Sequence, residues 1–138
     1  MVAKTKKKYR VAVIGATGLV GSTTLSILEE RKFPIDELYL IASSRSAGEI
    51  CEFGGDSYEV QDIEKFDFSR SEICFFCTGN DVAAKYVPLA AKLNNIVIDK
   101  SSYFRYHDDV PLVVPEVNAQ TLMGQKNIIA NPNCTTIP

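Results

Sequence analysis

The sequence lacks long apolar runs and any marked excess of one charge. No apolar stretch approaches the ~20 residues of a membrane-spanning helix, and the run at 11–14 is too short for the core of a signal peptide. The cytoplasm is therefore the expected location. The formal net charge of −2 gives no attraction for nucleic acid or an anionic membrane surface, so neither is expected as a partner.

Internal repeats and linker-like segments are also missing. The 138 residues, 46% apolar and 23% charged, have the composition and size of one ordinary globular domain. Positive charge is concentrated only between Lys4 and Lys8. A targeting or nucleic-acid patch is the alternative there, but a flexible basic tail over residues 1–8 is favoured, with the domain spanning residues 9–138.

Cysteine and histidine are too few for a metal centre. Cys74 and Cys77 have the spacing of a zinc or redox pair, but they lie in an apolar run at 73–77 that predicts a buried strand. Residues three apart on a strand point to opposite faces. Since no second Cys/His pair accompanies them, no metal site is expected. The absence of a signal peptide also argues against disulfides.

Short apolar and β-branched runs alternate with helical patterns along the chain. Strands are predicted at residues 9–14, 38–42, 57–61, 73–77, 96–99, 112–114 and 127–130. Helices are predicted at 19–31, 82–93 and 116–122, the first with Leu19, Val20, Leu25, Ile27 and Leu28 on its buried side. Pro88 is expected to kink or break the second helix. The alternation predicts an α/β fold, a Rossmann-type doubly wound and mostly parallel sheet with flanking helices.

Glycines stand at the first, fourth and seventh positions between the first strand and the first helix. Gly15 permits a tight turn, Gly18 lets a pyrophosphate approach the backbone, and Gly21 lets the helix pack closely. The helix N-terminus then offers N–H groups to the anion. In this setting the motif favours dinucleotide binding over a purely structural turn. The predicted contacts are Gly15, Ala16, Thr17, Gly18, Leu19, Val20 and Gly21.

The segment after the second strand favours NADP over NAD. NAD enzymes usually place Asp or Glu there to bind the ribose hydroxyls, but residues 38–48 contain no carboxylate. Arg45 offers a planar set of donors for a 2′-phosphate, and Ser43, Ser44 and Ser46 offer hydroxyls. The alternative is a solvated polar loop.

Cys134 follows the last predicted strand and a turn containing Pro132. Thr135 and Thr136 are typical of a helix start. A thiol at a helix N-terminus has a lowered pKa, which makes thiolate available near neutral pH. Asn133 can orient or donate to an oxyanion formed nearby. From the residues alone, a buried structural cysteine is an equal alternative.

Five motifs, in order, resemble aspartate-β-semialdehyde dehydrogenase over nearly the whole chain. They are GATGLVG at 15–21, SSRSAG at 43–48, VIDKSSYFR at 97–105, VPEVN at 114–118 and NPNCTT at 131–136. The related N-acetyl-γ-glutamyl-phosphate reductases share the glycine turn but usually carry Gly-Cys-Tyr in place of Asn133-Cys134-Thr135. The resemblance therefore favours the aspartyl enzyme.

The resemblance implies reversible, NADPH-dependent reductive dephosphorylation of L-aspartyl 4-phosphate to L-aspartate 4-semialdehyde, in lysine, methionine and threonine biosynthesis. It implies that Cys134 is the nucleophile forming a thioester, that Asn133 helps hold the substrate, and that Arg105 binds the substrate phosphate. An ion pair with Asp108 or Asp109 is the alternative for Arg105. Thr78 and Gly79 match a loop that contacts the cofactor.

Three positions depart from the family pattern. Cys77 and Asn80 stand where Ser and Gly are usual, and Lys100 stands where Asn is usual, which puts the contacts around the nicotinamide in doubt. His107, the one histidine, does not match the family's catalytic histidine and is expected to be a solvated loop residue.

The resemblance places an acid/base histidine, an arginine for the substrate carboxylate and most of a dimer or tetramer interface in a second domain, outside these residues. The 138-residue chain alone is therefore expected to have little or no dehydrogenase activity. Two alternatives remain open at this point. One is a non-catalytic NADP-binding module, and the other is a related acyl-phosphate or acyl-CoA reductase.

Overall fold

The computed structural model describes residues 7–118 and 127–132, which form a parallel sheet, a hairpin and flanking helices. The strands are β1 (Tyr9–Ile14), β2 (Ile35–Ala42), β3 (Ile50–Phe53), β4 (Asp56–Glu59), β5 (Gln61–Asp62), β6 (Ile73–Phe76), β7 (Ile96–Asp99) and β8 (Ile128–Ala130). The helices are α1 (Leu19–Glu30), α2 (Asn80–Lys92) and α3 (Pro115–Asn118), with one 3-10 turn at Phe68–Arg70.

The main sheet has the order β5-β2-β1-β6-β7-β8, and every pairing in it is parallel. The order reverses between β1 and β6, because the chain first builds outward through β2 and β5 and then returns to the other side of β1. Ile14, the last residue of β1, lies opposite Ile41 on one side and Phe76 on the other. This order is that of a doubly wound dinucleotide-binding sheet and confirms the predicted fold class.

Alternating residues of β1 face two separate cores. Val11 and Val13 pack with Leu25 and Leu28 of α1 on one face of the sheet. On the opposite face, Ala12 and Ile14 pack with Ala83, Val87 and Ala90 of α2. Because residues 11–14 of β1 are buried on both faces, they have to be apolar, which is why this part of the strand reads as a continuous apolar run.

The two central cysteines follow the same alternation. Cys74 lies within the core that includes α2, whereas Cys77 packs against the core that includes α1. The prediction that these thiols diverge is confirmed. Among the described residues no group of His, Cys, Asp or Glu side chains is arranged to hold a metal ion.

A β-hairpin was not predicted. β3 and β4 pair antiparallel across a turn in which Gly54 and Gly55 have φ of +60° and +88°. Positive φ at both central residues is the type of turn that suits the twist of two-residue hairpins. The strand predicted at 57–61 is wrong in extent, because the chain leaves the hairpin at Val60, whose backbone bonds Gly48 and Glu49, and then enters the main sheet as β5.

Three predictions about the helices need correction. Leu19, Val20 and Ile27 of α1 are exposed, because its buried side is formed by Gly21 and Thr24 together with Leu25 and Leu28. α2 runs without a break through Pro88, which lies on the exposed side of the helix, where one lost backbone hydrogen bond costs less than it would in the core. α3 ends at Asn118 within the described residues, and the rest of the helix predicted at 116–122 lies outside them.

Two other predicted strands differ less from the structure. The strand predicted at 112–114 consists of one bridge, from Leu112 to Ala130. β2 begins three residues earlier than predicted, at Ile35. In the described part of the chain no helix is both long and apolar enough to cross a membrane.

Candidate functional site

A cavity of about 270 Å³ opens at the carboxyl ends of β1, β2 and β6, where the strand order reverses. Its lining residues are Ile14, Gly15, Thr17, Gly18, Ala42, Ser43, Ile63, Cys77, Thr78 and Val82. In open α/β sheets, ligands bind in the crevice formed at this reversal. The cavity is therefore the candidate cofactor site.

The glycine turn forms one wall, and the fold itself demands two of its glycines. Gly15 has φ of +87°, and a Cβ there would lie 2.3 Å from the carbonyl oxygen of Cys77. A Cβ on Gly21 would lie 2.0 Å from the carbonyl oxygen of Gly15. Neither side chain can be accommodated without moving backbone, so these two glycines serve the contacts between the turn, α1 and β6.

Gly18 is different, because nothing in the described chain requires it. Its φ of −84° suits any residue, and an added Cβ would make an ordinary contact, 3.6 Å from the carbonyl oxygen of Gly15. The remaining reason for glycine is space on the open side of the turn, where Gly18 lines the cavity. That is the position at which the fingerprint admits a pyrophosphate.

The N-terminus of α1 adds positive potential to this wall. No side chain among the described residues caps the helix, and its first turn carries no acidic residue. The first N–H groups of a helix have no intrahelical partner, so those of Leu19 and Val20 are available to an anion. Both side chains are exposed. Ala16, by contrast, points into the core and offers the site only its backbone.

The loop after β2 forms the second wall. Ser43 lines the cavity, and its carbonyl accepts the N–H groups of Ser46 and Ala47 at 3.0 and 3.1 Å, which closes a tight turn. Arg45 is exposed at the outer side of this turn. Within residues 7–118 and 127–132 its guanidinium makes no hydrogen bond or ion pair, so its donors are free.

The third wall is the loop from β6 to α2. Cys77 and Thr78 line the cavity, whereas Gly79 is the exposed N-cap of α2. Burial raises the pKa of the Cys77 thiol, although a contact with Thr24 Oγ1 at 3.6 Å and the nearby charge of Lys100 lower it. The thiol is therefore neutral at physiological pH, and its place at the cavity is that of a small apolar group.

Asn80 joins this loop to the loop that follows β7. Its Oδ1 accepts hydrogen bonds from the backbone N–H and the hydroxyl of Ser102, at 3.1 and 3.0 Å. Glycine, the usual residue of the resembled family at this position, has no side chain to make such a link. The departure at Asn80 thus corresponds to a defined contact between two loops at the mouth of the site.

Arg105 lies farther along the same edge of the sheet. Its Nε donates to the carbonyl of Asn131 at 2.7 Å, and its Nη2 donates to the carbonyl of Lys100 at 3.0 Å. The guanidinium is therefore fixed between the ends of β7 and β8. Cys134 and Asn133, the predicted nucleophile and substrate-binding residue, lie outside the described residues.

Asp99 was missed by sequence reasoning. It is fully buried at the end of β7, where its carboxylate accepts the N–H and the hydroxyl of Ser101 at 3.0 and 2.8 Å. Burial raises the pKa of this carboxyl, while the Ser101 bonds and the charge of Arg105 act in the opposite direction. An acidic residue ending an apolar strand was the available signal.

His107 lies in a loop, as expected, and Asn118 bonds the chain just before α3. His107 is exposed, with its ring 5.3 Å from that of Tyr103 and 5.0 Å from that of Phe104. Asn118 accepts the N–H of Val114 at 2.8 Å and donates to the carbonyl of Leu112 at 2.9 Å, which is a role in local structure.

Comparison with known proteins assigns this arrangement to a family. Residues 10–125 match the family model described as the semialdehyde dehydrogenase, NAD binding domain. The chain belongs to the semialdehyde dehydrogenase family. The match covers the glycine turn, all three walls of the cavity and Arg105, so the predicted family is confirmed, and the candidate cofactor cavity lies within the part of the chain that the NAD binding domain matches.

The relatives of this semialdehyde dehydrogenase domain are longer than the chain. Aspartate-semialdehyde dehydrogenase 2 of Vibrio cholerae is 50% identical over 133 residues, which are 95% of this chain and 40% of the relative. The crystal structure of aspartate semialdehyde dehydrogenase II from that organism, complexed with ASA, has a TM-score of 0.92 over 95% of this chain and 44% of its own. The chain thus spans about two fifths of the length of the curated relatives that it matches.

A more distant structure has a bound cofactor. Aspartate semialdehyde dehydrogenase with NADP from Candida albicans is 25% identical, with a TM-score of 0.70 over 94% of this chain and 44% of its own. At half the identity of the Vibrio protein, this structure still has the same fold as the chain.

Proposed function

We propose that residues 9–138 are the NADP-binding domain of an aspartate-semialdehyde dehydrogenase, preceded by a basic tail. The observation that carries the proposal is the cavity at the strand reversal, bounded by a glycine turn whose Gly18 the fold does not require. The names of the relatives point to dehydrogenase activity on aspartate semialdehyde, and the resemblance of the five motifs implies the reversible conversion of L-aspartyl 4-phosphate to L-aspartate 4-semialdehyde.

The cofactor of the proposed enzyme is NADP. β2 ends at Ala42, and the next residue, Ser43, already lines the cavity without a carboxylate to bind ribose hydroxyls. Arg45 is exposed two residues later with its donors free among the described residues. A guanidinium binds a phosphate through two parallel hydrogen bonds, which suits the 2′-phosphate that distinguishes NADP from NAD.

The chemistry uses Cys134 as nucleophile. Its thiolate attacks the acyl carbon of the aspartyl phosphate, a carbon–sulfur bond forms, and inorganic phosphate leaves. Bound NADPH supplies hydride to the thioester carbon. Collapse of that intermediate releases the semialdehyde and restores the thiolate. Asn133 donates to the oxygen on which negative charge develops in both steps.

Arg105 binds the phosphate of the substrate in this scheme. Its guanidinium has five N–H donors, and among the described residues only Nε and one N–H of Nη2 are engaged, both with backbone carbonyls. The other three are left for phosphate oxygens. Their orientation is fixed in advance, because both engaged carbonyls belong to residues directly after strands.

Proton transfer requires a group that the described residues do not supply. His107 is exposed in a loop and packs only against aromatic rings. We therefore expect the 138-residue chain to have little or no turnover by itself, since acid/base catalysis contributes roughly 10²- to 10⁴-fold. A steady-state assay in which this chain reaches the turnover of a full-length relative would contradict that expectation.

Cofactor choice is tested by calorimetric titration of the protein with NADPH and NADH. Arg45→Ala is expected to weaken NADPH binding about tenfold or more, since a charge-assisted hydrogen bond contributes roughly 1.5–3 kcal/mol, and to leave NADH binding unchanged. Gly18→Ala is expected to weaken both, because its Cβ occupies the path of the pyrophosphate. Arg31→Ala, at the far end of α1, is the matched control. Equal affinity for the two cofactors, unaffected by Arg45→Ala, would reject NADP.

The catalytic assignment is tested by the reactivity of its thiol. The rate of alkylation by iodoacetamide is followed by mass spectrometry for Cys134 and for Cys51, a half-buried thiol on the hairpin. Faster labelling of Cys134 that persists to lower pH supports the nucleophile. Equal labelling of the two thiols would favour a non-catalytic NADP-binding module.

A further inference from the structure

The hydrogen-bond ladder between β7 and β8 ends at one definite bond. The N–H of Asn131 donates to the carbonyl of Asp99 at 3.0 Å. In a parallel ladder the next bond would run from the N–H of Ser101 to the carbonyl of Asn131. Instead the Ser101 N–H donates to Asp99 Oδ1 at 3.0 Å, and the Asn131 carbonyl accepts from Arg105 Nε at 2.7 Å.

Two side chains therefore replace the two halves of one backbone bond. The carboxylate of Asp99 accepts the Ser101 N–H, and the guanidinium of Arg105 donates to the Asn131 carbonyl. Buried backbone groups without partners cost about as much as a lost hydrogen bond, and this exchange removes that cost. The strands can separate beyond Asp99 and Ala130 without leaving a polar group unpaired.

The exchange also fixes the backbone directly after β8. Through Nη2, Arg105 holds the carbonyl of Lys100 at 3.0 Å, so one planar group is tied to the chain after β7 and after β8. Asn131 has two further bonds, its N–H to Asp99 and its Nδ2 to the carbonyl of Val113 at 3.4 Å. Pro132, which follows, is buried.

We infer that Arg105 is a positioning residue for the backbone at Asn131, directly after β8, and through it for the nucleophile three residues later, in addition to its role toward the substrate phosphate. The inference rests on the proposed function, since it takes Cys134 as the nucleophile. The two roles use different atoms of one guanidinium. The donors on Asn131 and Lys100 set the backbone, and the other three face the phosphate.

The two roles are separated by measuring Cys134 without substrate or phosphate. The full-length protein encoded by the gene is alkylated with iodoacetamide, a neutral reagent, across a range of pH. Arg105→Lys keeps the positive charge, but a single ammonium on a flexible stem does not reproduce a planar fork across two carbonyls. We expect alkylation of Cys134 to slow about tenfold, as small displacements of reacting groups do, with its pH midpoint moved upward.

The control is Arg70→Lys, at an exposed arginine that stacks on Tyr39 far from this edge, and it should leave the alkylation profile unchanged. An Arg105→Lys profile identical to that of the unaltered protein, together with a raised KM for phosphate, would overturn the positioning role and leave phosphate binding as the only role. A Cys134 that reacts no faster than Cys51 in the unaltered protein would overturn the proposed function and this inference with it.

A second variant serves if Arg105→Lys does not fold. Asp99→Asn keeps an oxygen to accept the Ser101 N–H but removes the anion that attracts the guanidinium toward β7. We expect alkylation of Cys134 to slow about threefold, the value of a modest ion-pair interaction. An unchanged rate in a folded Asp99→Asn protein would count against the inference as Arg105→Lys does.

Discussion

At the amino-terminal ends of the strands the side chain of Asn95 makes four hydrogen bonds, whereas at the carboxyl ends the first N–H groups of α1 have no partner within the helix. Asn95 is fully buried just before β7. It donates to the carbonyls of Phe68 and Ala90 and accepts from Ser71 and the Cys74 thiol. The polar groups of this edge satisfy each other within the protein.

At the carboxyl-terminal edge, several hydrogen-bond donors have no partner among the described residues. Arg45 has free donors within the described chain, Arg105 has three, and Gly18 keeps the approach to α1 open. A parallel sheet thus has one edge built for stability and one built for ligands. Substitutions at the amino-terminal edge should therefore alter only the free energy of unfolding. At the carboxyl-terminal edge, some substitutions should destabilise the fold and others should weaken ligand binding alone.

The largest effect is expected for Gly21→Ala. The added Cβ would lie 2.0 Å from the carbonyl oxygen of Gly15, so α1 has to move away from the turn, at a cost of about 3 kcal/mol or more. Urea unfolding gives the free energy. Gly18→Ala, in the same turn, is the matched control and should lose no more than about 1 kcal/mol through its N-cap position. Similar losses for both would show that the turn does not separate packing from ligand binding.

A smaller loss is expected at the amino-terminal edge. Asn95→Ala removes four buried side-chain hydrogen bonds, those to the carbonyls of Phe68 and Ala90 and those from Ser71 and Cys74, and we expect a loss of about 2–3 kcal/mol. Asn94→Gly is the control, because Asn94 is exposed with φ of +69° and should change stability by no more than about 0.5 kcal/mol. The folded Asn95→Ala protein should bind NADPH normally. A weaker affinity of this variant for NADPH would show that the amino-terminal edge also affects ligand binding.

The parts of the fold that depend on periodicity were predictable from the sequence. The buried residues of β1, β6 and β7 are apolar, apart from Asp99, because the sheet is covered on both faces, and the glycine turn identified the crossover after β1. The Gly54-Gly55 pair was a readable hairpin signal that was not used. The buried side of α1 was not readable, because Gly21 and Thr24 take places where Leu19 and Ile27 were expected.

The site was predictable where a side chain or a glycine carries it, as at Ser43, Thr78 and the turn. It was not predictable where a side chain bonds a distant backbone carbonyl. The contact from Arg105 to Asn131 joins residues 26 positions apart, and a carbonyl is the same in every residue. The residue type at Asn131 does not indicate that its backbone carbonyl accepts this bond, so the contact can be found only from the fold.

The smallest effects concern two carboxylates, one at each edge, and they should have opposite signs. At the amino-terminal edge, the N–H of Arg10 holds the pKa of Glu72 below its usual value, aided by the charges of Arg10 and Lys7. The resulting stability is fully present above the ordinary Glu pKa and is lost as the pH falls through the lowered value. Glu72→Gln should therefore cost most near neutral pH, about 0.5 kcal/mol because the group is largely solvated.

Asp99 should behave in reverse. Burial raises the pKa of this carboxyl, so the ionised form destabilises the folded protein at neutral pH, and that penalty disappears as the pH falls from the raised value toward the ordinary Asp value. Asp99→Asn should stabilise the protein near neutral pH by up to about 1 kcal/mol, with the gain fading in acid. Urea unfolding of both variants at several pH values gives two difference curves. If both substitutions change the free energy of unfolding with the same sign, the two edges do not differ in how they stabilise a carboxylate. If the signs are opposite, the charge of Asp99 is kept at the carboxyl edge although it destabilises the folded protein, because it interacts with Arg105.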